Sequence, residues 1–225
     1  MTAGPDMQSR AERRFAAWYD RMTARVERGW AGQRRAALVA DLTGEVLDLG
    51  AGTGANLRHF RAAAHVTAVE PSAAMRAQLV TKLGHVSVPV DVVDAGAEEL
   101  PFPDGYFDAV VCTLVLCTVP DPDRALAEVW RVLKSDGRLV FLEHVRAAGV
   151  AARAQDLITP LVRHLGAGCH PNRDTVAAIA AAGFIVQAVE RFKPVPRLPL
   201  IAPFVAGTAA PAVRLQAAER FARGE

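Results

Sequence analysis

Short apolar runs rich in β-branched residues alternate with amphipathic stretches from Glu45 onward. The runs predict strands near residues 45–50, 65–70, 88–95, 107–115, 137–144, 184–192 and 202–209, since they are too short for helices and are bounded by turn residues. Between them the apolar spacing predicts helices near 54–63, 72–83, 121–134 and 172–182. In the third of these, Asp121-Pro-Asp-Arg124 precedes Leu126, Val129, Trp130 and Leu133, the pattern of a capped amphipathic helix with Pro122 in its first turn. Lys134-Ser-Asp-Gly137 then turns the chain into the next strand. Such alternation is the sequence form of an α/β fold, a Rossmann-like doubly wound, mainly parallel sheet of seven strands with helices on both faces. Repeats and low-complexity tracts are absent, so the expected organisation is an N-terminal helical extension over 1–40 and one domain over 41–225.

Within the extension, Phe15, Trp18, Met22 and Val26 fall on one helical stripe, with Arg13, Arg14, Arg21 and Arg28 nearby. Three uses fit: packing on the domain, a lid over a ligand pocket, or weak peripheral contact with a membrane surface. Composition narrows the classes of partner. Of 225 residues, 51% are hydrophobic, ample for a core, and 26 basic against 24 acidic residues leave a net charge of +2. Nucleic acid is therefore not an expected partner. Cys112, Cys117 and Cys169 form no Cys-x-x-Cys pair and show no metal-ligand spacing with a histidine. No disulfide framework and no metal site are expected, and reducing, cytoplasmic conditions fit best. The arginine-rich first thirty residues lack the apolar core of a secretory signal. The longest uncharged run, Leu198 to Val213, is sixteen residues broken by three prolines, short of the roughly 20 apolar residues of a membrane span.

The densest chemical signal is Glu45-Val-Leu-Asp-Leu-Gly-Ala-Gly-Thr-Gly-Ala-Asn56, a strand entering a glycine-rich turn, with Glu70 at the end of the next strand. Glycines let backbone approach a ligand, and a carboxylate one strand over accepts both hydrogen bonds of a ribose diol. The spacing Gly50-x-Gly52-x-Gly54 departs from the Gly-x-Gly-x-x-Gly of dinucleotide sites, which serves a pyrophosphate. It suits a nucleoside without phosphates, and S-adenosyl-L-methionine (SAM) is the leading candidate.

Together with Leu100-Pro-Phe-Pro-Asp-Gly-Tyr-Phe-Asp-Ala-Val110 and Arg131-Val-Leu-Lys-Ser-Asp-Gly137, these segments resemble the class I SAM-dependent methyltransferases over about residues 40 to 145. Val111 to Val119, Glu143-His-Val145 and Gly168-Cys-His-Pro-Asn-Arg173 look most like the small thiol S-methyltransferases that carry a membrane anchor in animals; no anchor is expected here. The resemblance implies SAM as cofactor, S-adenosyl-L-homocysteine as product and the class I methyltransferase fold. It implies that Asp48, Gly50, Ala51 and Gly52 line the methionine end, that Glu70 holds the ribose, and that Pro71, Ser72 and Met75 flank ribose and adenine. Ala97 and Glu98 match the loop at the adenine edge, although many relatives have an aspartate where Gly96 stands. Thr113 and Leu114 match residues beside the methionine carboxylate and sulfonium.

Plainer uses stand beside these. Asp48 also suits a cap on the glycine turn, Glu70 a solvated strand end, and Cys112 and Cys117 small buried residues. His59, His65 and His85 have no evident partners and read as structural. His144 ends the fifth strand, where parallel sheets bind ligands; a scaffold role is its alternative. His170 and Asp156 rest on the resemblance and complete the candidate catalytic set, while Asn172 suits an N-cap.

The expected function is methyl transfer from SAM to a small-molecule acceptor, with S-methylation of a thiol first. A thiol ionises near 8.5 and needs less help than an amine or a quinol carbon, which require a placed base. The alternatives are C-, O- or N-methylation of a quinol, phenolic or phospholipid acceptor, and a SAM-binding protein without transferase activity. A nicotinamide oxidoreductase is disfavoured by the glycine spacing and by the absence of any Tyr-x-x-x-Lys. Oligomeric state has no signature in the sequence.

Overall fold

Each apolar run becomes a strand: β1 (Gly44–Leu49), β2 (Ala63–Val69), β3 (Val90–Val93), β4 (Phe107–Thr113), β5 (Leu133–His144), β6 (Phe184–Phe192) and β7 (Phe204–Pro211). The computed structural model describes residues 5–165, 168–194 and 203–212; residues 198–202 and 213 of the proline-broken run lie outside them. The strands form a seven-stranded mixed sheet in the order β3-β2-β1-β4-β5-β7-β6. Its helices are α1 (Pro5–Glu27), α2 (Trp30–Val39), α3 (Ala73–Val80), α4 (Pro122–Val132), α5 (Val150–Leu165) and α6 (Thr175–Ala181). Among the described residues no helix is long and apolar enough to cross a membrane.

The chain folds as two compact units, Met1–Gly96 and Ala97–Glu225. In the first, β1 and β2 pair in parallel with Leu49 opposite Val69, and β2 and β3 with Val69 opposite Val93. Matched strand ends bring Gly50, Glu70 and Asp94 out along one edge, the place where parallel sheets bind ligands. Val46, Leu47, Leu49, Val66 and Val69 are fully buried, so the register is held by the apolar faces. In the second unit, β4 and β5 are parallel with Thr113 opposite Leu142, and β7 runs antiparallel to β5 with Phe204 opposite His144.

Several elements depart from the sequence expectations. In place of a helix over 54–63 there is one 3-10 turn, Leu57–His59. Gly50, Gly52 and Gly54 all have φ between 57° and 81°, a left-handed conformation that cannot begin a helix, and β2 starts at Ala63. Asn172 does not cap the last helix; Asp174 does, accepting from Ala177 N at 3.2 Å. Helix α5 has Pro160 in its interior, a residue that disfavours helix on sequence grounds. The aromatic stripe of α1 is not a core face, because Trp18 and Met22 are each 50% exposed while Ala16 is buried. The helix is held instead by polar groups one step round: Asp20 accepts from Thr53 Oγ1 and pairs with Lys82 Nζ at 2.8 Å.

Candidate active site

The glycine turn in the first unit is built around Glu70. Its Oε2 accepts from Gly52 N at 2.9 Å and its Oε1 from Ser72 N at 2.8 Å, so one carboxylate clamps the turn and the start of α3. Arg76 donates to the Glu70 carbonyl at 2.7 Å and pairs with both oxygens of Asp94, fixing the ends of β2 and β3. Ser72 caps α3 by accepting from Met75 N at 3.3 Å. Pro71 is exposed, Met75 half-buried and Ala51 buried. A carboxylate offers about four acceptor positions, and the two backbone bonds leave Glu70 able to accept a diol. Burial raises its pKa, against the two backbone N–H groups that pull it down.

Beneath the turn Asp48 is fully buried. Its Oδ1 accepts from Asn56 Nδ2 at 2.7 Å, but Oδ2 has no partner. Asn56 in turn accepts from Arg35 Nη1 at 2.8 Å, and Arg35 pairs with Glu27 at 3.1 Å. Burial pushes Asp48 up to about 6, opposed by Asn56 and Arg35 and reinforced by Glu70. A buried carboxylate oxygen left unbonded costs free energy unless a donor or cation meets it. The turn is open at Gly52: chain neighbours aside, a Cβ there would find nothing nearer than Gly50 O at 3.9 Å, and its φ of +57° is closed to branched side chains. Orphaned oxygen, open cradle and diol acceptor together fit a nucleoside that carries an ammonium group. Asn56 and Arg35 were not identified from sequence; Asn56 closes the glycine motif, whereas nothing local marks Arg35.

In the second unit Ala97 is buried, and Glu98 turns its Oε1 to the N–H of Asp121 at 3.3 Å. Thr113 ends β4 and is buried. Leu114 follows with φ +63°, the one non-glycine residue in that region among those described, and its N–H donates to Leu142 O at 2.8 Å. Strain of this kind persists only where surroundings enforce it, commonly at functional sites. The enforcing group is Glu143, buried at 0% exposure, whose carboxylate accepts from the N–H groups of Val115, Leu116 and Cys117 at 2.8, 3.0 and 3.1 Å. Burial and the neighbouring Cys117 push Glu143 well above the usual carboxylate range, against those three donors.

Two of the three predicted catalytic residues gather nearby, and the third is occupied elsewhere. His144 Nδ1 lies 3.6 Å from Cys117 Sγ and 3.5 Å from Cys169 Sγ, and the two sulfurs are 3.7 Å apart. The shared sulfur contact and burial push the Cys117 thiol up to about 12, while the same contact lowers Cys169. His170 donates its backbone N–H to Cys117 O at 2.6 Å, and its buried ring Nδ1 has no partner. Burial, then Arg173 and Arg163, lower its pKa, so its imidazole is neutral at physiological pH. Asp156 makes a two-point ion pair with Arg146 at 2.6 Å and accepts from Asn172 at 2.9 Å. Arg146 and Asn172 hold its pKa below the ordinary carboxylate value, which suits a structural tie better than a base. Arg173, absent from the predicted set, donates to Leu116 O and Val119 O at 2.7 and 2.8 Å and binds the Gly168–Arg173 segment to the turn after β4.

Comparison with known proteins bears on both units. A family model described as "Methyltransferase domain" matches residues 47–141. The thiol S-methyltransferase TMT1B of Rattus norvegicus is 38% identical over 144 residues, 62% of this chain and 59% of that protein. The thiol S-methyltransferase TMT1B of Homo sapiens is 34% identical over 169 residues, 73% of this chain and 69% of that protein. The chain thus spans about three fifths to two thirds of these relatives' length. Among solved structures, a SAM-dependent methyltransferase of Thermotoga maritima, described as a possible histamine N-methyltransferase, has a TM-score of 0.64 at 23% identity, covering 88% of this chain and 96% of its own. That likeness is one of fold.

Proposed function

The chain belongs to the class I S-adenosyl-L-methionine-dependent methyltransferases, and we propose that its acceptor is a small thiol, methylated on sulfur. The observation that carries the acceptor class is the 34–38% identity to proteins named thiol S-methyltransferases. When bound, SAM supplies an activated methyl group on a sulfonium. The chain's own residues do the rest. Glu70 would hold the ribose, the unpartnered Asp48 Oδ2 would meet the ammonium, and Gly52 leaves the cradle open. Ala97, Glu98, Thr113 and Leu114 keep the cofactor roles that the resemblance implies, with Glu98 acting through its backbone because its carboxylate is engaged with Asp121.

Of the candidate catalytic residues, His170 is our choice to take the acceptor's proton, and the buried, unpartnered Nδ1 of its ring supports that choice. A thiol demands little of it, being a few per cent thiolate at neutral pH. Positioning then dominates; holding reacting atoms about 3–3.5 Å apart supplies roughly 7–11 kcal/mol. Residues 1–40 act in this reading as an extension whose α1, tied to Thr53 and Lys82, covers the glycine turn. The exposed Trp18 and Met22 suit weak contact with a membrane surface, and the free thiols of Cys112, Cys117 and Cys169 support a reducing, cytoplasmic setting.

Two results test this reading. SAM affinity should fall, by at most about tenfold per pH unit, as pH drops below about 6, because protonation removes the charge that Asp48 offers an ammonium. Calorimetric titrations on either side of that value check it, and pH-independent affinity would remove Asp48 from the site. A panel of alkyl thiols, phenols, quinols and phosphatidylethanolamine, with product mass spectrometry, should show the new methyl on sulfur. Turnover confined to a quinol, phenol or amine would overturn the acceptor while leaving the cofactor in place.

A further inference from the structure

Cys117, His144 and Cys169 come from three separate places in the chain: the turn after β4, the last residue of β5 and the loop ahead of α6. The sequence leads one to expect no metal site, because residues 25 to 52 positions apart make no local motif. Folding changes that. Any one of the separations, 3.7 Å between the sulfurs and 3.6 and 3.5 Å from each sulfur to His144 Nδ1, is an ordinary contact. What is not ordinary is that two thiols and an imidazole nitrogen meet mutually at these distances. Tetrahedral zinc, with Zn–S of about 2.3 Å and Zn–N of about 2.0–2.1 Å, requires S···S of about 3.8 Å and S···N of about 3.5–3.6 Å. The three observed separations match those edges.

Two of the three donor residues are also held in place by contacts outside the cluster. Glu143 fixes the backbone of Cys117 at 3.1 Å, and His170 N–H donates to Cys117 O at 2.6 Å. Thr175 Oγ1 donates to His144 O at 3.2 Å, while the Phe204 ring lies 4.2 Å from the imidazole. Both sulfurs are buried, which keeps competing water away.

We propose that Cys117 Sγ, Cys169 Sγ and His144 Nδ1 bind one zinc ion, the two thiols releasing their protons to solvent as the metal enters, with a fourth position left for a soft exogenous ligand. Two thiolates and an imidazole suit zinc better than magnesium or calcium, which favour oxygen. No further histidine, cysteine or carboxylate joins the three among the described residues, and a three-ligand set with an open position is the pattern of reactive rather than purely structural zinc. In a step that rests on the thiol reading above, the fourth ligand is the acceptor sulfur: an R–SH group gives its proton to the His170 imidazole, the base of that reading, and binds as R–S⁻. His144 is then a ligand and not a base.

The test uses the full chain, stripped with a chelator and titrated with Co²⁺. One cobalt per chain should bind, with thiolate-to-cobalt charge-transfer absorption and the visible bands of a tetrahedral ion, and Zn²⁺ should displace it. Cys117→Ser, Cys169→Ser and His144→Gln should each lose the tetrahedral spectrum and weaken Zn²⁺ by more than the 10- to 100-fold, roughly, of an outer-partner change. Their circular dichroism, compared with that of the metal-free wild type, separates lost binding from lost folding. Adding an alkyl thiol to the cobalt form should shift the charge-transfer band, and an alkyl amine should not. No charge-transfer band in the wild type, a band that survives both serine variants, or a Cys117–Cys169 disulfide in metal-free protein as isolated would overturn the site. A metal-free chain that still methylates thiols refutes this inference alone; a cobalt site in a chain that turns over no thiol refutes the acceptor alone.

Discussion

Replacing Glu70 by Ala is expected to weaken SAM binding by about 2–4 kcal/mol, roughly 30- to 1,000-fold in Kd. Two losses add. The ribose loses its charged acceptor, and the N–H groups of Gly52 and Ser72, which the carboxylate holds at 2.9 and 2.8 Å, are released, so the turn is no longer shaped for the ligand. Gly52→Val should reach the same end differently. Its φ of +57° strains a branched residue, and the side chain enters the space left for the ligand. Calorimetry measures both, and near-wild-type affinity in the two variants would remove the cofactor from the glycine turn.

Glu143→Ala should cost about 3 kcal/mol or more of stability, because three buried N–H groups, those of Val115, Leu116 and Cys117, lose their acceptor at about 1–3 kcal/mol each. For a chain of this size that corresponds to a fall in Tm of about 6–12 °C. Glu143→Gln should lose less. Its one oxygen, placed at Oε1, still accepts from Val115 and Leu116. Thermal unfolding of both variants checks the order. If alanine and glutamine cost the same small amount, Glu143 does not hold the strained turn at Leu114.

The strands were legible because a parallel sheet buried on both faces writes continuous apolar runs, as in Ala109–Cys112 and Leu139–Leu142. The glycine turn was legible because its left-handed conformations follow from local backbone geometry, whereas the clamp that Glu70 makes on Gly52 and Ser72 was not. What sequence hid was either non-local or contrary to propensity. Helix α5 carries Pro160 and leaves Val150, Leu157 and Leu161 exposed, so neither its composition nor its apolar positions mark a core helix. Arg35 reaches Asn56 from 21 positions away, and Cys117, His144 and Cys169 meet from 25 to 52 positions apart. Only the register of the strands and the returning Gly168–Arg173 loop bring such groups together.

The most direct measurement of the proposed function is turnover of an alkyl thiol with SAM labelled by deuterium in its methyl group. The expected result is an S-methyl product carrying all the label, formed in equal amount with S-adenosyl-L-homocysteine and lost in Glu70→Ala at subsaturating cofactor. Intact SAM recovered with unmodified thiol, under conditions where calorimetry shows the cofactor bound, would contradict it.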